Sequence, residues 1–452
     1  MVSAVSRVVV PFHAATSGVE ELTWGQREIW TAMVNQQSWL PIFFVQPLEP
    51  FTTVDGVAAE LRYCMQRYDS MRTRLEFGTG GEPRQVVAGA GETVLEVFEA
   101  GDADPAEVAA EVREQYRTGD HDFVHDWPAR TAVVLRHGTP THLVSVYCHL
   151  VMDALARAVM LRDLRDRGAV PGGAMRPAQL AEWERGDAAR KLNTASMAYW
   201  ERQLRRIPAR RFAASADPRT PRYWEAVFRS RALHLALQVI APGAAGATAP
   251  LLTVFAVALA RVTGSNPVVA QVVVGNRFHS HLADVFAPVN QTGLWVLDVA
   301  DTTVAEALGR SRRRAMSTYK HAYYDPRERA GLIARVSCER GEELDLNCFF
   351  NDRRMNRTTG DVPTAADVTA ALGTSTFTWR TRTDKPNERL FVHAEDATDV
   401  VELSAWTDTR YLSPGDLEAV LREMEAVAVA AALDPAEPTR VHGAALVQPE
   451  HQ

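Results

Sequence analysis

The chain has 452 residues, a length that fits two or three domains or one large two-lobed body. Its 46% hydrophobic and 23% charged residues indicate a globular protein that buries large cores. Its 49 Lys and Arg against 56 Asp and Glu give a net charge of −7, which argues against binding of a nucleic-acid backbone. The four cysteines form no CxxC pair, so they indicate neither a disulfide framework nor a cysteine-rich zinc site. The first residues do not indicate an export signal, and proline and glycine interrupt the uncharged window 232–260. We therefore expect a cytoplasmic protein with neither nucleic acid nor membrane as a partner.

The first part of the chain is predicted to mix helices and strands. Apolar residues at spacings of three and four predict one amphipathic helix over 55–71 and another over 104–116. Strand-like runs lie at 94–98, 132–135 and 142–148. The last strand leads through a short loop into a helical run at 154–164, and such junctions hold exposed side chains rigidly.

Glycine, proline and charge are enriched at 165–193, which predicts a connection between two lobes with a boundary near 168–195. Beyond it we predict a strand near 232–240, an apolar helix over 250–262 and a β-branched strand at 268–274. Both lobes are therefore mixed α/β (α+β), and we divide the chain into residues 1–180 and 181–452.

Familiar catalytic signatures are missing, since the chain has no GxSxG elbow, no GxxxxGK[ST] phosphate loop and no GxGxxG after a strand. His121 with His125, and His279 with His281, resemble metal ligands in isolation. Both pairs lie in polar segments without a third ligand at a diagnostic spacing, which favours structural histidines. No metal site is predicted.

The remaining candidate is the segment CHLVMDA, from Cys148 to Ala154. His149 suits acid–base chemistry because the usual pKa of histidine lies near neutrality, and Asp153 can orient the ring or the local backbone. A structural interpretation is also open, in which Asp153 caps the next helix, worth about 1 kcal/mol, and His149 is a satisfied buried histidine. On these residues alone the structural interpretation is favoured.

Blocks elsewhere in the chain strengthen the catalytic interpretation. CHLVMDA is similar to a HHxxxDG motif, and LTWGQREIW at 22–30 and RYDSMRTRL at 67–75 are similar to SxAQxRLW and RHExLRTRF. Further blocks follow in order, namely a YW pair at 199–200, VVVGNRF at 272–278 and NCFFNDRR at 347–354. Together they resemble the condensation-domain superfamily of nonribosomal peptide synthetases. The resemblance implies two chloramphenicol-acetyltransferase-like lobes in a V-shaped pseudodimer, with the active site at their interface.

The resemblance also implies roles for single residues. His149 matches the histidine at the reaction centre, and Asp153 matches a structural carboxylate that pairs with an arginine of the second lobe, for which Arg277 is the best candidate. Cys148 and Ala154 replace a structural histidine and a glycine at the active site. We expect Cys148 to be an inert buried thiol, and the methyl group of Ala154 to narrow the approach to the site.

Three further residues are substrate-binding candidates by family position. For each of them a purely structural role, in strand packing or turn capping, is at least as good an explanation. These residues are Asn290, Phe350 and Asn351.

The implied function is that of a freestanding condensation-type acyltransferase in nonribosomal peptide, antibiotic or related natural-product biosynthesis. It joins an acyl or aminoacyl thioester, presented on the phosphopantetheine arm of an acyl or peptidyl carrier protein, to a small amine or alcohol. A thioester is already activated, so we expect no cofactor bound by the chain itself. Two alternatives stay open. One is a catalytically inactive condensation-like domain that recruits tailoring enzymes or carrier proteins, as the altered motif suggests, and the other is a lipid or polyketide O-acyltransferase.

Overall fold

A computed structural model describes residues 2–166, 174–244, 247–354 and 362–443. The chain divides into two compact units, the first formed by residues 1–191 and 275–291 and the second by 192–274 and 292–452. The segment 275–291 thus belongs to the first unit although it lies far along the chain. Residues 167–173 of the predicted connection lie outside the described residues.

The first unit contains a five-stranded and a three-stranded sheet. The five-stranded sheet has the order β1-β6-β7-β8-β3 and the three-stranded sheet the order β2-β5-β4. The strands are β1 (Ser6–His13), β2 (Gly18–Glu21), β3 (Ile42–Pro47), β4 (Thr73–Phe77), β5 (Pro83–Val87), β6 (Ala90–Glu99), β7 (Ala129–Arg136) and β8 (Thr139–Tyr147). The helices are α1 (Trp24–Gln36), α2 (Val54–Arg67), α3 (Pro105–Thr118), α4 (Ala154–Asp166) and α5 (Pro177–Glu184), and α6 (Asp187–Leu204) continues into the second unit.

Strand β8 positions the candidate segment. It lies inside the five-stranded sheet, paired with β7 on one side and β3 on the other. Val144 and Val146 are fully buried in the core of this unit, and the amide of Cys148 donates to the carbonyl oxygen of Pro128 at 2.7 Å. Because both edges of β8 are paired, the residues that follow it start from a rigid position.

The second unit is built on a seven-stranded sheet with the order β11-β10-β12-β14-β15-β9-β13. The strands are β9 (Tyr223–Ser230), β10 (Val268–Val274), β11 (Gln291–Leu297), β12 (Cys348–Asp352), β13 (Thr376–Thr383), β14 (Leu390–Ala397) and β15 (Val400–Asp408). The helices are α7 (Arg231–Ile240), α8 (Thr248–Thr263), α9 (Val304–Lys320), α10 (Pro326–Arg340), α11 (Ala365–Ala370) and α12 (Pro414–Leu433). Helix α8 is buried along almost its whole length. Within the described ranges, none of the helices has the length and apolarity that crossing a membrane requires.

One predicted element is wrong, although the apolar helix α8 and the strand β10 lie where the sequence places them. The stretch 232–240 is not a strand but the helix α7. The hydroxyl of Ser230 caps this helix by accepting from the amide of Leu233 at 2.8 Å, and its buried residues recur at helical spacing. Leu233, Leu235 and Leu237 alternate as the residues of a strand do. Leu233 and Leu237 are also four residues apart, so the same sequence fits a helix. The predicted connection 165–193 contains α5 and the start of α6.

Candidate active site

His149 lies in the turn between β8 and α4. Its Nδ1 is 2.9 Å from the carbonyl oxygen of Met152. A carbonyl oxygen only accepts, so the ring donates its Nδ1 hydrogen there, and the neutral imidazole carries its lone pair on Nε2. The ring is partly exposed, whereas its neighbours on both sides are buried. The turn therefore holds one imidazole in a defined tautomer on an otherwise packed loop.

Asp153 fixes the other end of the same turn. One carboxylate oxygen, Oδ1, accepts from the amide of Ala156 at 2.6 Å and from Nη2 of Arg277 at 2.9 Å. The other, Oδ2, accepts from the amide of Val289 at 3.2 Å. The carboxylate is buried, and each of these donors offsets part of the cost of burying its charge. Asp153 thus both caps α4 and pairs with Arg277, so the two interpretations that the sequence offers are compatible.

Arg277 organises the segment 275–291 around its guanidinium group. Nη1 donates to the carbonyl oxygen of Val285 at 2.7 Å, and Nη2 donates to that of Ala287 at 3.1 Å. The neighbouring Asn276 has a left-handed backbone with φ of 54° and donates from Nδ2 to the carbonyl oxygen of Val289 at 2.9 Å. The same arginine therefore shapes this segment and ties it to Asp153.

Two glycines allow the segment 275–291 to approach the helices of the first unit closely. A Cβ atom at Gly25 in α1 would lie 2.2 Å from the carbonyl oxygen of Pro288, and one at Gly275 would lie 2.7 Å from Cδ1 of Leu155. Any side chain at Gly25 would therefore push the segment away. Gly25 lies in the LTWGQREIW block, and the sequence alone gave no reason to single it out.

The two departures from the motif differ in exposure. Cys148 is buried, and its Sγ lies 3.9 Å from the carbonyl oxygen of Trp39. Burial raises the pKa of the Cys148 thiol to about 12, so the group is a neutral thiol at physiological pH. Ala154 is the first residue of α4 and is exposed. Its methyl group lies at the surface beside the His149 turn.

The substrate-binding candidates lie in different places. Asn290 belongs to the first unit and is half-buried, and its Oδ1 has no hydrogen-bond partner among the described residues. Phe350 is fully buried in the core of the second unit, 5.0 Å from the ring of Phe255, which favours strand packing over substrate contact. Asn351, its neighbour on β12, lies on the opposite and partly exposed face of the sheet.

That partly exposed face carries aromatic residues that sequence reasoning missed. His393 on β14 pairs in register with Asn351 on β12, and its ring lies 4.0 Å from that of Phe391. Burial lowers the pKa of His393 well below its usual value, so the ring is neutral at physiological pH. The period-two alternation of β12 and β14 is the signal that places these side chains on one face.

The histidine pairs considered as metal ligands have structural surroundings. His121 stacks on Trp39 with ring centroids 5.0 Å apart, and burial lowers the pKa of His121 to about 4. His281 packs on Trp183 at 4.2 Å, and burial also lowers the pKa of both His279 and His281. Among the described residues, His, Cys, Asp and Glu do not group in the numbers that a metal ion requires.

Residues 31–331 match the family model of the condensation domain, and this match covers more than half of the chain. The chain belongs to the condensation-domain family. The resemblance inferred from the CHLVMDA segment and its companion blocks is thereby confirmed. Members of this family act in nonribosomal peptide and polyketide systems, and some of them are not catalytic.

Individual relatives are distant. The chain is 25% identical over 176 residues, 38% of its length, to the hybrid PKS-NRPS synthetase tasS of Hapsidospora irregularis, and the match spans 4% of that synthetase. The crystal structure of SgcC5 from Streptomyces globisporus, in complex with (R)-(-)-1-(2-naphthyl)-1,2-ethanediol and sucrose, is similar with a TM-score of 0.68 at 18% identity, over 92% of this chain and 100% of that chain. A chain in the complex of the X-domain and OxyB from teicoplanin biosynthesis is similar with a TM-score of 0.65 at 17% identity, over 97% and 98%. At these identities the likeness shows the mixed helix-and-sheet condensation fold alone.

Proposed function

We propose that this condensation domain is an acyltransferase that joins a carrier-protein-bound acyl or aminoacyl thioester to an amine or hydroxyl acceptor, in nonribosomal peptide or related natural-product biosynthesis. The observation that supports this proposal is the hydrogen bond from Nδ1 of His149 to the carbonyl oxygen of Met152. It leaves the basic lone pair of the neutral ring on Nε2, as a general base requires.

The reaction needs one proton to be moved and returned. The acceptor nitrogen or oxygen attacks the thioester carbonyl while its proton passes to Nε2 of His149. The tetrahedral intermediate then expels the pantetheine sulfur, which takes the proton back from the imidazolium. A new amide or ester bond has formed, the C–S bond has broken, and His149 is neutral again. The thioester supplies the driving force, so the chain itself binds no cofactor in this scheme.

Backbone amides at the start of α4 are candidates for stabilising the oxyanion of the intermediate, because the N-terminus of a helix favours negative charge. Asp153 already accepts from the amide of Ala156, and its carbonyl oxygen accepts from the amide of Arg157 at 3.2 Å. Those two donors are therefore occupied. The amides of Ala154 and Leu155 are the ones that we assign to this role.

The test is a single-turnover transfer assay with a panel of carrier proteins, each loaded with an acyl-pantetheine thioester, and with small amines and alcohols as acceptors. Intact-protein mass spectrometry follows the loss of the acyl group from the carrier. We expect His149→Ala to slow transfer by about 10²-fold or more, since a general base contributes that much.

A matched control is His142→Ala. His142 lies on strand β8, which leads into the His149 turn, and it is also partly exposed. As far as the described residues show, it bonds through Nδ1 only to the hydroxyl of Thr141, at 3.2 Å. This variant should transfer at the rate of the unaltered protein. Equal rates for His149→Ala and the unaltered protein would remove His149 from the mechanism.

A second candidate function is recruitment without catalysis. It is favoured by Cys148, which replaces the first histidine of the motif, and by the likeness to the X-domain, which is found in complex with OxyB. For this chain, recruitment predicts carrier binding without acyl loss for every acceptor tried. The transfer assay above therefore separates the two functions directly.

A further inference from the structure

Helix α9 in the second unit carries a strongly basic surface on a protein that is acidic overall. Its sequence VAEALGRSRRRAMSTYK contains five cations and one carboxylate, whereas the whole chain has a net charge of −7. Arg312, Arg313, Met316 and Lys320 are exposed and lie three and four residues apart, so they share one side of the helix. We call these four residues the α9 face.

The cations of the α9 face are not balanced within the described parts of the chain. Arg312, Arg313 and Lys320 make no ion pair with any described carboxylate. By contrast, Arg335 on α10 lies 3.2 Å from Glu201 and 3.1 Å from Glu339. The dipole of α9 favours Lys320 in the last turn, but it does not explain Arg312 and Arg313 in the middle of the helix. Their positive charge therefore faces solvent uncompensated.

The end of α6 extends this positive surface. The ring of Tyr199 in α6 stacks on His321 at 4.9 Å, and its hydroxyl lies 3.1 Å from that of Thr318 in α9, which joins the two helices. The exposed Arg202 follows one turn after Tyr199 and makes no ion pair with a described residue. The pKa of His321 is lowered by burial and then by Lys320 and Arg202, as expected where cations gather.

An apolar side chain stands among these cations. Met316 is 73% exposed, the largest exposed fraction of any methionine in the described residues. Flexible methionine side chains adapt to a partner surface, and a basic rim around an apolar centre is typical of a protein-binding surface. Upstream on the same side, Ala305 and Gly309 leave room for a partner to approach α9.

We propose that the α9 face is the docking surface for an acidic helix of the carrier protein, next to the serine that bears the phosphopantetheine arm. This proposal rests on the proposed function and names its partner surface. A carrier brings the negative phosphodiester of its arm together with the acidic side chains of its helix. Elsewhere the net negative charge of this chain repels such a partner, so the α9 face steers encounter to one region.

The test compares Arg313→Glu with Arg136→Glu, which makes the same change of charge on the first unit. Arg136 is exposed, makes no ion pair with a described residue, and pairs with Thr139 at the end of the β7–β8 hairpin away from Tyr147. The probe is a holo acyl carrier protein with a fluorescein-labelled pantetheine arm, and its binding is followed by fluorescence anisotropy. A panel of such carriers is measured at low and at physiological salt.

We expect Arg313→Glu to weaken carrier binding about tenfold and Arg136→Glu to leave it unchanged, with binding to the unaltered protein weakening as salt rises. Arg313→Lys should restore binding because it keeps the charge. In transfer assays, Arg313→Glu should raise KM for the loaded carrier, whereas transfer from an acyl thioester of free pantetheine should keep its rate because no docking is involved.

The proposal is overturned if Arg313→Glu and Arg136→Glu bind the carriers equally, or if no carrier binds the unaltered protein at low salt. It is also overturned if Arg313→Glu slows transfer from free pantetheine thioesters as much as from carriers, or if duplex DNA or anionic vesicles bind the face more tightly than every carrier does. Absence of transfer from any thioester by the unaltered protein would refute the acyltransferase function. The anisotropy measurement would still decide the docking surface.

Discussion

Two buried carboxylates lie at the two ends of helix α4, and their partners differ in kind. Asp153, just before the helix, accepts from the backbone amides of Ala156 and Val289 and from the guanidinium of Arg277. Asp163, near the end of the helix, accepts from the hydroxyl of Tyr68 at 2.7 Å. It also accepts from Tyr63 and Arg67 on α2, each at 3.1 Å.

The difference separates a residue that shapes a site from one that fastens a helix. The partners of Asp153 are mostly backbone groups on either side of the His149 turn, so its charge fixes where the main chain runs. The partners of Asp163 are side chains of α2 and the residue after it, so its charge ties α4 to α2. Both carboxylates need their donors, because an unpaired buried charge is costly.

The largest effect is expected for Asp153→Asn, which keeps the shape of the side chain and removes its charge. Arg277 then loses its anionic partner, and the new amide nitrogen faces either the amide of Val289 or the donors of Ala156 and Arg277, according to which carboxylate oxygen it replaces. We expect a loss of about 3 kcal/mol in the free energy of unfolding, as for other broken buried pairs. Transfer should also fall, because the carbonyl of Met152 that orients His149 is adjacent to Asp153. Urea denaturation and the single-turnover assay measure the two effects.

The reciprocal variant Arg277→Gln and the double variant form a thermodynamic cycle with Asp153→Asn. If the ion pair is the main link, the loss in the double variant is well below the sum of the two single losses. Additive losses would show that Asp153 acts through its backbone hydrogen bonds and that Arg277 serves only to fold the segment 275–291.

A smaller effect, on stability alone, is expected for Asp163→Asn. Burial would raise the pKa of Asp163, but hydrogen bonds from Tyr68 and Arg67 outweigh it and lower the pKa below its usual value. Its charged form therefore stabilises the fold at pH values above the unfolded pKa of about 3.9, and this contribution is lost as the pH falls through the folded pKa. At pH 7 we expect the free energy of unfolding to fall by about 1–3 kcal/mol. The transfer rate should be unchanged at temperatures well below Tm.

The pH dependence gives the decisive measurement. Urea denaturation of Asp163→Asn and of the unaltered protein at pH 7 and at acidic pH should give stabilities that converge as the pH falls. A gap that stays constant would mean that the charge of Asp163 contributes little. A transfer rate lowered as far as in Asp153→Asn would erase the distinction between the two ends of α4.

Sequence patterns predict one end of this helix better than the other. The position of His149 after a strand, and the capping role of Asp153, follow from local rules that act over a few residues. The partner Arg277 was found only through the family resemblance, because 124 residues separate it from Asp153 along the chain. The sequence of α4 does not reveal the structural role of Asp163, because Tyr63, Arg67 and Tyr68, which donate to it, lie on α2 or directly after it.

Strand parity sets a second limit. The sequence motif groups Phe350 with Asn351, but successive residues of a strand point to opposite faces. The structure accordingly buries Phe350 and leaves Asn351 partly exposed. The alternating leucines of α7 predict a strand where the structure has a helix. A short apolar run fits both the strand and the helix period, and tertiary packing decides between them.

The smallest effect is expected at Cys148, which precedes His149 and has no charged partner. If Asp153, and not Cys148, determines the shape of the site, Cys148→Ala should lower the free energy of unfolding by about 1 kcal/mol, because it leaves a small cavity. The transfer rate should stay within about twofold of that of the unaltered protein. Because burial raises the pKa of its thiol to about 12, iodoacetamide at pH 8 should label the exposed Cys338 and spare Cys148. Peptide mapping by mass spectrometry measures both thiols in one sample. The thiol would take part in the chemistry if Cys148 were labelled rapidly, or if Cys148→Ala lost as much transfer as His149→Ala. The site would then depend on Cys148 as well as on His149 and Asp153.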